Sequence, residues 1–499
     1  MTKSTILFIV FIISLGNSFA QTQVGSDIDG EATGDWFGIS VSLSSDGRTV
    51  AIGAERNDGN GTDAGHTRVY KNISGTWTKI GSDIDGKADG ERSGSSVSLS
   101  SDGSTVAIGA MLSDANGEDA GLIRVYKNIS GTWKQIGSDI DGEAAGDYSG
   151  SSVSLSSDGS IVAIGAFGND GNGSGAGHTR VYKNVSDKWT QIGSDIDGEA
   201  AGDNSGYVSL SSDGSVLAIS ARSNDGNGID AGHVRVYKNI SDKWTQIGSD
   251  IDGEAAGDRF GGSVFLSSDG STVAIGAYFN DGNGEDAGHV RVYKNISGTW
   301  TKIGSDIEGE RAGDLTGVSV SLSSDGSTVA IGAIPINGNG TDAGHTRVYK
   351  NISGTWTKIG SDIDGEAAGD RSGSGSSLSL SSDGSIVAIG AFRNDGNGTD
   401  AGHVRVYNSL RWSAGINPTT NNPVKIYPNP STNGFSLNLA QNYQGIELRI
   451  MDVLGQIIST KKVESASQVE FEITGKPGLY LVEISTNGRL LNTVRIIKE

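Results

Sequence analysis

SVSLSSDGRTVAIGA, Ser40 to Ala54, decides the fold. Val41 and Leu43 alternate with serines, the period of a strand with one buried face. Ser45-Asp46-Gly47 follows, and TVAIGA, Thr49 to Ala54, runs back. Asp-Gly between two such runs is a strong hairpin signal. NDGNGTDAG is a glycine-rich loop. HTRVYKN, His66 to Asn72, reads as a third strand, with Val69 facing away from His66, Arg68 and Tyr70. ISG turns the chain into a fourth strand, TWTKIG, Thr76 to Gly81. No part of the unit has helical periodicity.

The unit recurs. The Ile or Val before each GSDI stands at 24, 80, 136, 192, 247, 303 and 359, steps of 56, 56, 56, 55, 56 and 56. Seven copies end near Trp412. Four short antiparallel strands per copy predict an all-β fold, a seven-bladed β-propeller over 21–412. A β-solenoid is the alternative, but its coils are usually shorter and it needs caps. The segment QTQVGSD at Gln21 matches the fourth-strand tail WTKIGSD. Thr22 to Val24 is therefore expected to pair into the last blade and latch the ring. Trp412 could complete that blade instead.

The first twenty residues carry Lys3, an apolar run from Ile6 to Leu15, and small residues at Ser18 and Ala20. They read as a secretory signal, 1–20, with an anchoring helix as the alternative. There is no cysteine, so the exported chain must be held by its core, by metals or by ring closure. The net charge is −21. Lys3 contributes +1, and eight Lys and Arg against seven Asp and Glu after residue 412 contribute another +1, so the repeats carry −23. Such a surface disfavours nucleic acid and anionic lipid, and suits divalent cations or solubility.

Two acidic stretches per repeat are candidate sites. In GSDIDGEAAGD, Gly360 to Asp370, carboxylates alternate as in the start of a calcium loop. Lys87 and Glu308 interrupt the pattern in other copies. The favoured reading is a turn at the exit of a strand, with the isoleucine packed inward. NDGNGTDAG is the better calcium candidate, because Asp and Asn supply oxygens and glycines permit a tight curl. Its candidate ligands are Asp58, Asn60 and Asp63 in the first copy and Asp114, Asn116 and Asp119 in the second. Asp170 and Asn172 follow in the third, where Gly175 replaces the last Asp. The later copies offer Asp225, Asn227 and Asp230, then Asp281, Asn283 and Asp286, then Asp395, Asn397 and Asp400; the sixth copy has Asn337 at the first position. No glutamate closes the loop as it would in an EF-hand.

All six histidines, 66, 178, 233, 289, 345 and 403, share one repeat position, with Leu122 in the second copy. They read as strand-start residues hydrogen-bonded to a neighbouring loop. Seven of eight tryptophans fall one per repeat and read as packing rather than sugar-stacking residues. Trp36 alone is not periodic. No catalytic constellation distinct from the repeats appears.

Phe37-Gly38 before the first strand, Gly53-Ala54 after the second, their counterparts Phe260-Gly261 and Gly276-Ala277, and Gly-His-Thr-Arg-Val-Tyr resemble the FG-GAP repeat of integrin-α-type β-propellers. The resemblance covers about 390 residues. It implies a seven-bladed propeller outside the cell, used in binding or adhesion. Five copies lack the Phe. In calcium-binding members the ligands lie between the first two strands, where this chain has only Ser-Ser-Asp-Gly, so that metal site does not carry over.

After Trp412 the composition changes. SAGINPTTNNP, 413–423, is a linker of turn formers, and 424–499 alternates like the strands of a small Ig-like β-sandwich. Tyr427-Pro428-Asn429-Pro430, Met451-Asp452-Val453-Leu454-Gly455, Lys476-Pro477-Gly478-Leu479-Tyr480 and Val494-Arg495-Ile496-Ile497-Lys498 resemble the type A sorting domain of the type IX secretion system. That resemblance implies export across both membranes, engagement of the secretion machinery, and release or surface attachment. The functional expectation is a non-catalytic binding or adhesion module. A polysaccharide-active enzyme and a passive matrix component are the alternatives.

Overall fold

In this computed structural model, residues 21–334, 339–409, 425–427, 434–451, 457–473, 478–486 and 489–498 are described. Their regular elements are all strands. The chain divides into two compact units, Ser18–Arg411 and one that holds Trp412–Glu499.

The first unit contains seven antiparallel sheets among the described residues, six with their strands in sequence order and the seventh completed by the N-terminal strands. In the first repeat they are Phe37–Leu43, Thr49–Ala54, His66–Ile73 and Thr76–Lys79. Val41 lies opposite Ile52, and Ile52 opposite Arg68. The opening stretch of the second repeat belongs to this same sheet, because Ile84 and Asp85 pair with Thr67 and His66. GSDID is thus the far end of an outer strand, broken by a bulge at Gly81. In the sixth sheet the strand runs unbroken from Thr355 to Asp364. The glycine is required: Gly81 has φ +80°, and a Cβ there would lie 2.7 Å from Cδ1 of Trp133.

The apolar faces meet between sheets. Ala51 and Val69 of the first sheet pack with Leu99, Val106 and Ile108 of the second. The same pattern continues around to the seventh, whose Ala388, Val404 and Val406 pack on Phe37, Val41 and Ile52 of the first. The innermost strands close a backbone ring as well. Ser45 N–H donates to Ser101 O, and so on through Ser157, Ser212, Ser268 and Ser324 to Ser382, whose N–H returns to Ser45 O at 3.0 Å. Sheets packed face to face around a common axis are the arrangement of a β-propeller. One leucine per repeat, Leu43 to Leu380, lines the axis beside these serines.

The expected latch is present. Thr22 and Gln23 pair with Asn408 and Tyr407 of the seventh sheet. Gln21 takes over a tryptophan's work. In the first sheet Trp77 Nε1 donates to Val24 O at 2.7 Å, and at the seam Gln21 Nε2 donates to Ile359 O at 3.2 Å.

In the second unit, the described strands Lys425–Tyr427, Gly434–Met451, Ile457–Glu472, Gly478–Thr486 and Arg489–Lys498 form one antiparallel sheet. Phe435, Leu437 and Leu439 from one end of its longest strand share a core with Ile446, Leu448 and Ile450 from the other.

Candidate functional site

The NDGNGTDAG loops are built by local hydrogen bonds. Asp58 Oδ1 accepts the Asp63 N–H at 2.8 Å, and Asp114, Asp225, Asp281 and Asp395 do the same for Asp119, Asp230, Asp286 and Asp400. Asp170 holds Gly175 N–H in the same way. Asn60 Nδ2 reaches into the next repeat and donates to Gly86 O at 2.7 Å, as Asn116, Asn172, Asn227, Asn283 and Asn397 do to Gly142, Gly198, Gly253, Gly309 and Gly30. The last Asp sits at positive φ, +49° for Asp63 and +53° for Asp400, and Gly175 at +63°. A residue with φ > 0 explains the exchange of Asp for Gly, since both tolerate that region. One oxygen of the first Asp and the amide nitrogen of the Asn in these loops are thus engaged in turn and inter-sheet bonds. Asn337 lies outside the described residues.

The acidic opening stretch does several jobs at once. Its isoleucine is buried in every repeat, from 4% exposed at Ile28 to 8% at Ile196. Its last Asp is buried too. Asp35 Oδ2 accepts the Ala32 N–H at 3.1 Å and Asn57 Nδ2 at 3.0 Å. Burial raises the pKa of Asp35, against those hydrogen bonds. In the first, second, fifth and sixth sheets its first Asp pairs with arginine. Asp83 accepts Arg68 Nε at 3.0 Å and Nη2 at 2.8 Å, and Glu31 from the preceding loop meets the same guanidinium. Burial alone would raise the Asp83 pKa, but Arg68 and Lys79 hold it down to about 2. Of these two acids, only the last Asp bonds the backbone of its own loop, as a turn residue does.

The histidines correct the sequence reading. They are 1–5% exposed, and Nε2 of His66, His233, His289, His345 and His403 has no hydrogen-bond partner. Burial, reinforced by the adjacent arginine, pulls His66, His289 and His345 down to about 4. Five of the six imidazoles lie among carboxylates instead: Glu31, His66 and Asp83 come together, as do Glu199, His233 and Asp250. The Asp comes from the following repeat's opening stretch, so no single copy of the sequence shows the cluster. The described periodic tryptophans are packing residues as expected, and Trp412 lies outside the described residues. Trp133, Trp189, Trp244 and Trp356 are 8–9% exposed.

Sequence reasoning missed a ring of residues that differ between otherwise near-identical repeats. One position precedes the innermost strand: Trp36, Arg92, Tyr148, Asn204, Arg259, Leu315 and Arg371. All seven have φ between +50° and +57°. Bulky residues rarely adopt that conformation, and such strain gathers at functional sites. The preceding loop imposes it: Trp36 N–H donates to Asp400 O at 3.2 Å, and Arg92 N–H to Asp63 O at 3.1 Å. The second variable position is a two-residue step after the second strand and includes Arg56, Phe167, Arg222, Tyr278, Phe279, Phe392 and Arg393. The two positions touch. The Arg56 guanidinium lies 3.6 Å from the Trp36 ring centre, Phe392 lies 5.4 Å from it, and Tyr148 stacks on Phe167 at 5.0 Å. Most of these side chains are half-exposed. The available signal was the variation itself, after the last acid of the opening stretch and between VAIGA and NDGNG.

Of the sorting motif, Tyr427 is 46% exposed and pairs with Ser436. Gly478, Leu479 and Tyr480 open a strand that pairs with Lys498, Ile497 and Ile496, and Tyr480 is buried. Pro428, Asn429, Pro430 and Gly455 lie outside the described residues.

Comparison with known proteins agrees with this layout. Residues 425–499 match the secretion system C-terminal sorting domain, and residues 27–70 and 250–293 match the FG-GAP repeat. The chain therefore carries FG-GAP repeats on a β-propeller and a type IX sorting domain that directs export, with secretion or attachment at the cell surface. No curated protein matches. Among solved structures, the Kuenenia stuttgartiensis hydrazine synthase is similar at 14% identity and a TM-score of 0.47, over 74% of this chain and 94% of that one. The Dos1 propeller is similar at 11% identity and a TM-score of 0.40, over 78% and 94%.

Proposed function

We propose that the chain is an exported, non-catalytic binding module: a seven-bladed propeller latched by Thr22–Val24, with an Ig-like sandwich as its export address after a signal at 1–20. It binds its partner at the end of the axis where the innermost strands begin. The observation that carries this reading is the concentration of repeat-to-repeat variation in one ring of strained residues there, rich in Trp, Tyr, Phe and Arg. Those residue types dominate binding hot spots. A frame repeated seven times with one diversified rim is what a recognition surface needs and what a passive matrix protein does not.

Panels of immobilised extracellular glycans and proteins test it. The full chain is expected to bind at least one of them saturably. Trp36→Ala with Arg393→Ala is expected to weaken that binding at least tenfold while leaving the melting temperature within a few degrees. Unchanged binding by the folded variant would refute the reading. So would turnover of a bound polysaccharide.

A further inference from the structure

The six histidine-bearing sheets fall into two classes, set by the residue four positions before the first Asp. In the first, fifth and sixth sheets it is Lys79, Lys302 or Lys358. There the arginine sits between the two carboxylates. Arg347 Nη2 is 2.9 Å from Glu310 and 2.8 Å from Asp362, and Lys358 Nζ is 2.8 Å from the same Asp. Two cations balance two anions.

In the third, fourth and seventh sheets the residue is Gln191, Gln246 or Gln23. The arginine has turned away in all three. Arg180 Nη2 donates to Asp141 O at 3.0 Å, Nη1 keeps only Glu143 Oε1 at 3.3 Å, and the guanidinium lies over Tyr182. Arg235 and Arg405 repeat this with Asp197 O and Tyr237, and with Asp364 O and Tyr407. The glutamine amide occupies Oδ1 of the Asp.

What remains faces the imidazole. His178 Nδ1 is 3.8 Å from Glu143 Oε2 and 3.9 Å from Asp195 Oδ2. His233 Nδ1 is 3.8 Å from both Glu199 Oε2 and Asp250 Oδ2, and His403 Nδ1 is 3.9 Å from both Asp27 Oδ2 and Glu366 Oε2. Each of these imidazoles is 2% exposed, and Nε2 of His233 and His403 has no partner. One guanidinium now faces two carboxylates, so the site carries uncompensated negative charge around a buried neutral nitrogen donor.

We propose that these three sites, and not their lysine counterparts, bind a first-row divalent cation such as Zn2+ through His Nδ1, Glu Oε2 and Asp Oδ2, with Asp29 converging beside Asp27 and His403 at the seventh sheet. One imidazole with two carboxylates suits zinc, whereas calcium takes oxygen ligands throughout. Two metal–ligand bonds of about 2.1 Å at a tetrahedral angle place donors about 3.4 Å apart. The histidine-to-carboxylate separations need to close by about half an ångström, and the half-exposed glutamates, held by arginine only at Oε1, can swing Oε2 inward to supply that movement. The cation would clamp an inter-sheet loop to the sheet that follows it, in a chain that lacks disulfides.

The test is calorimetric titration of the chelator-stripped full chain with zinc chloride. Three saturable equivalents are expected, unmoved by millimolar calcium. The variant D27N/D195N/D250N should lose all three. The variant Q23K/Q191K/Q246K should lose them too, although it alters no ligand and installs the lysine that other repeats already carry. Thermal melts establish that both variants are folded. No saturable zinc binding, three equivalents retained in the lysine variant, or displacement by calcium would each overturn the assignment.

Discussion

The residues that repeat and the residues that do not lie within a few ångströms of one another, and they do different work. Val50, Ile52 and Ala54 end in a buried frame that recurs from sheet to sheet. Glu55 follows them directly and recurs nowhere, and Arg56 recurs only as Arg393. The frame keeps the same side chains because each sheet must present the same face to its neighbours for the ring to close. The rim varies because nothing in the packing fixes it. Where a repeat protein holds its backbone constant and changes the side chains at one edge, that edge is where selection for a partner can act.

The comparison can be broken first at the seam. Removing Thr22–Val24 deletes the outer strand of the seventh sheet, and the melting temperature of the full chain should fall by well over ten degrees with loss of a single transition. An unchanged melt would mean that the ring does not depend on its latch. Within the frame, Ile108→Ala empties a site 1% exposed and should cost about 2–5 kcal/mol in denaturant unfolding. Arg56→Ala at the rim should cost under about 1 kcal/mol by the same measurement. Equal costs would erase the distinction between the two regions.

Acid should act on the frame alone. His66, His289 and His345 have pKa values of about 4 when folded and an ordinary value of 6.5. The unfolded chain therefore binds more protons between those values, so stability falls as pH drops from 6.5 toward 4. Each contributes about 3 kcal/mol over that window. Replacing all three with leucine, which Leu122 shows the position accepts, should flatten the dependence of melting temperature on pH. A slope unchanged in that variant would place the acid sensitivity elsewhere. The smallest effect is expected in the glycine-rich loops. Gly175→Ala at φ +63° should cost about 1 kcal/mol, while Asp63→Gly should be nearly neutral, and calcium should shift neither melt by more than a degree. A calcium shift of several degrees, lost in Asp58→Ala, would restore those loops as metal sites.

Much of the fold was legible. The period of the repeat, the Asp-Gly hairpins and the likeness of QTQVGSD to WTKIGSD led to the sheets and to their closure. The site was less so, for physical reasons. Glu31, His66 and Asp83 meet only because an outer strand bulges at Gly81 and carries the next repeat's acids back onto the third strand. Asp63 reads as an oxygen ligand, and the sequence does not show the turn that its positive φ makes. Trp36 looked like an isolated loop residue, because its partner Phe392 comes from the other end of the propeller sequence.

Two multiple-alanine variants test the central claim most directly. One removes the rim residues Trp36, Arg56, Phe167, Tyr278, Phe392 and Arg393. The other removes the exposed apolar residues of the third-to-fourth-strand turns, Ile73, Ile129, Val185, Ile240, Ile296 and Ile352, which are 48–56% exposed. Binding of each folded variant to whatever the full chain captures on the glycan and protein panels is the measurement. Loss in the rim variant with binding intact in the turn variant is the predicted result. Loss in the turn variant with binding intact in the rim variant would contradict the account and move recognition to the opposite end of the strands.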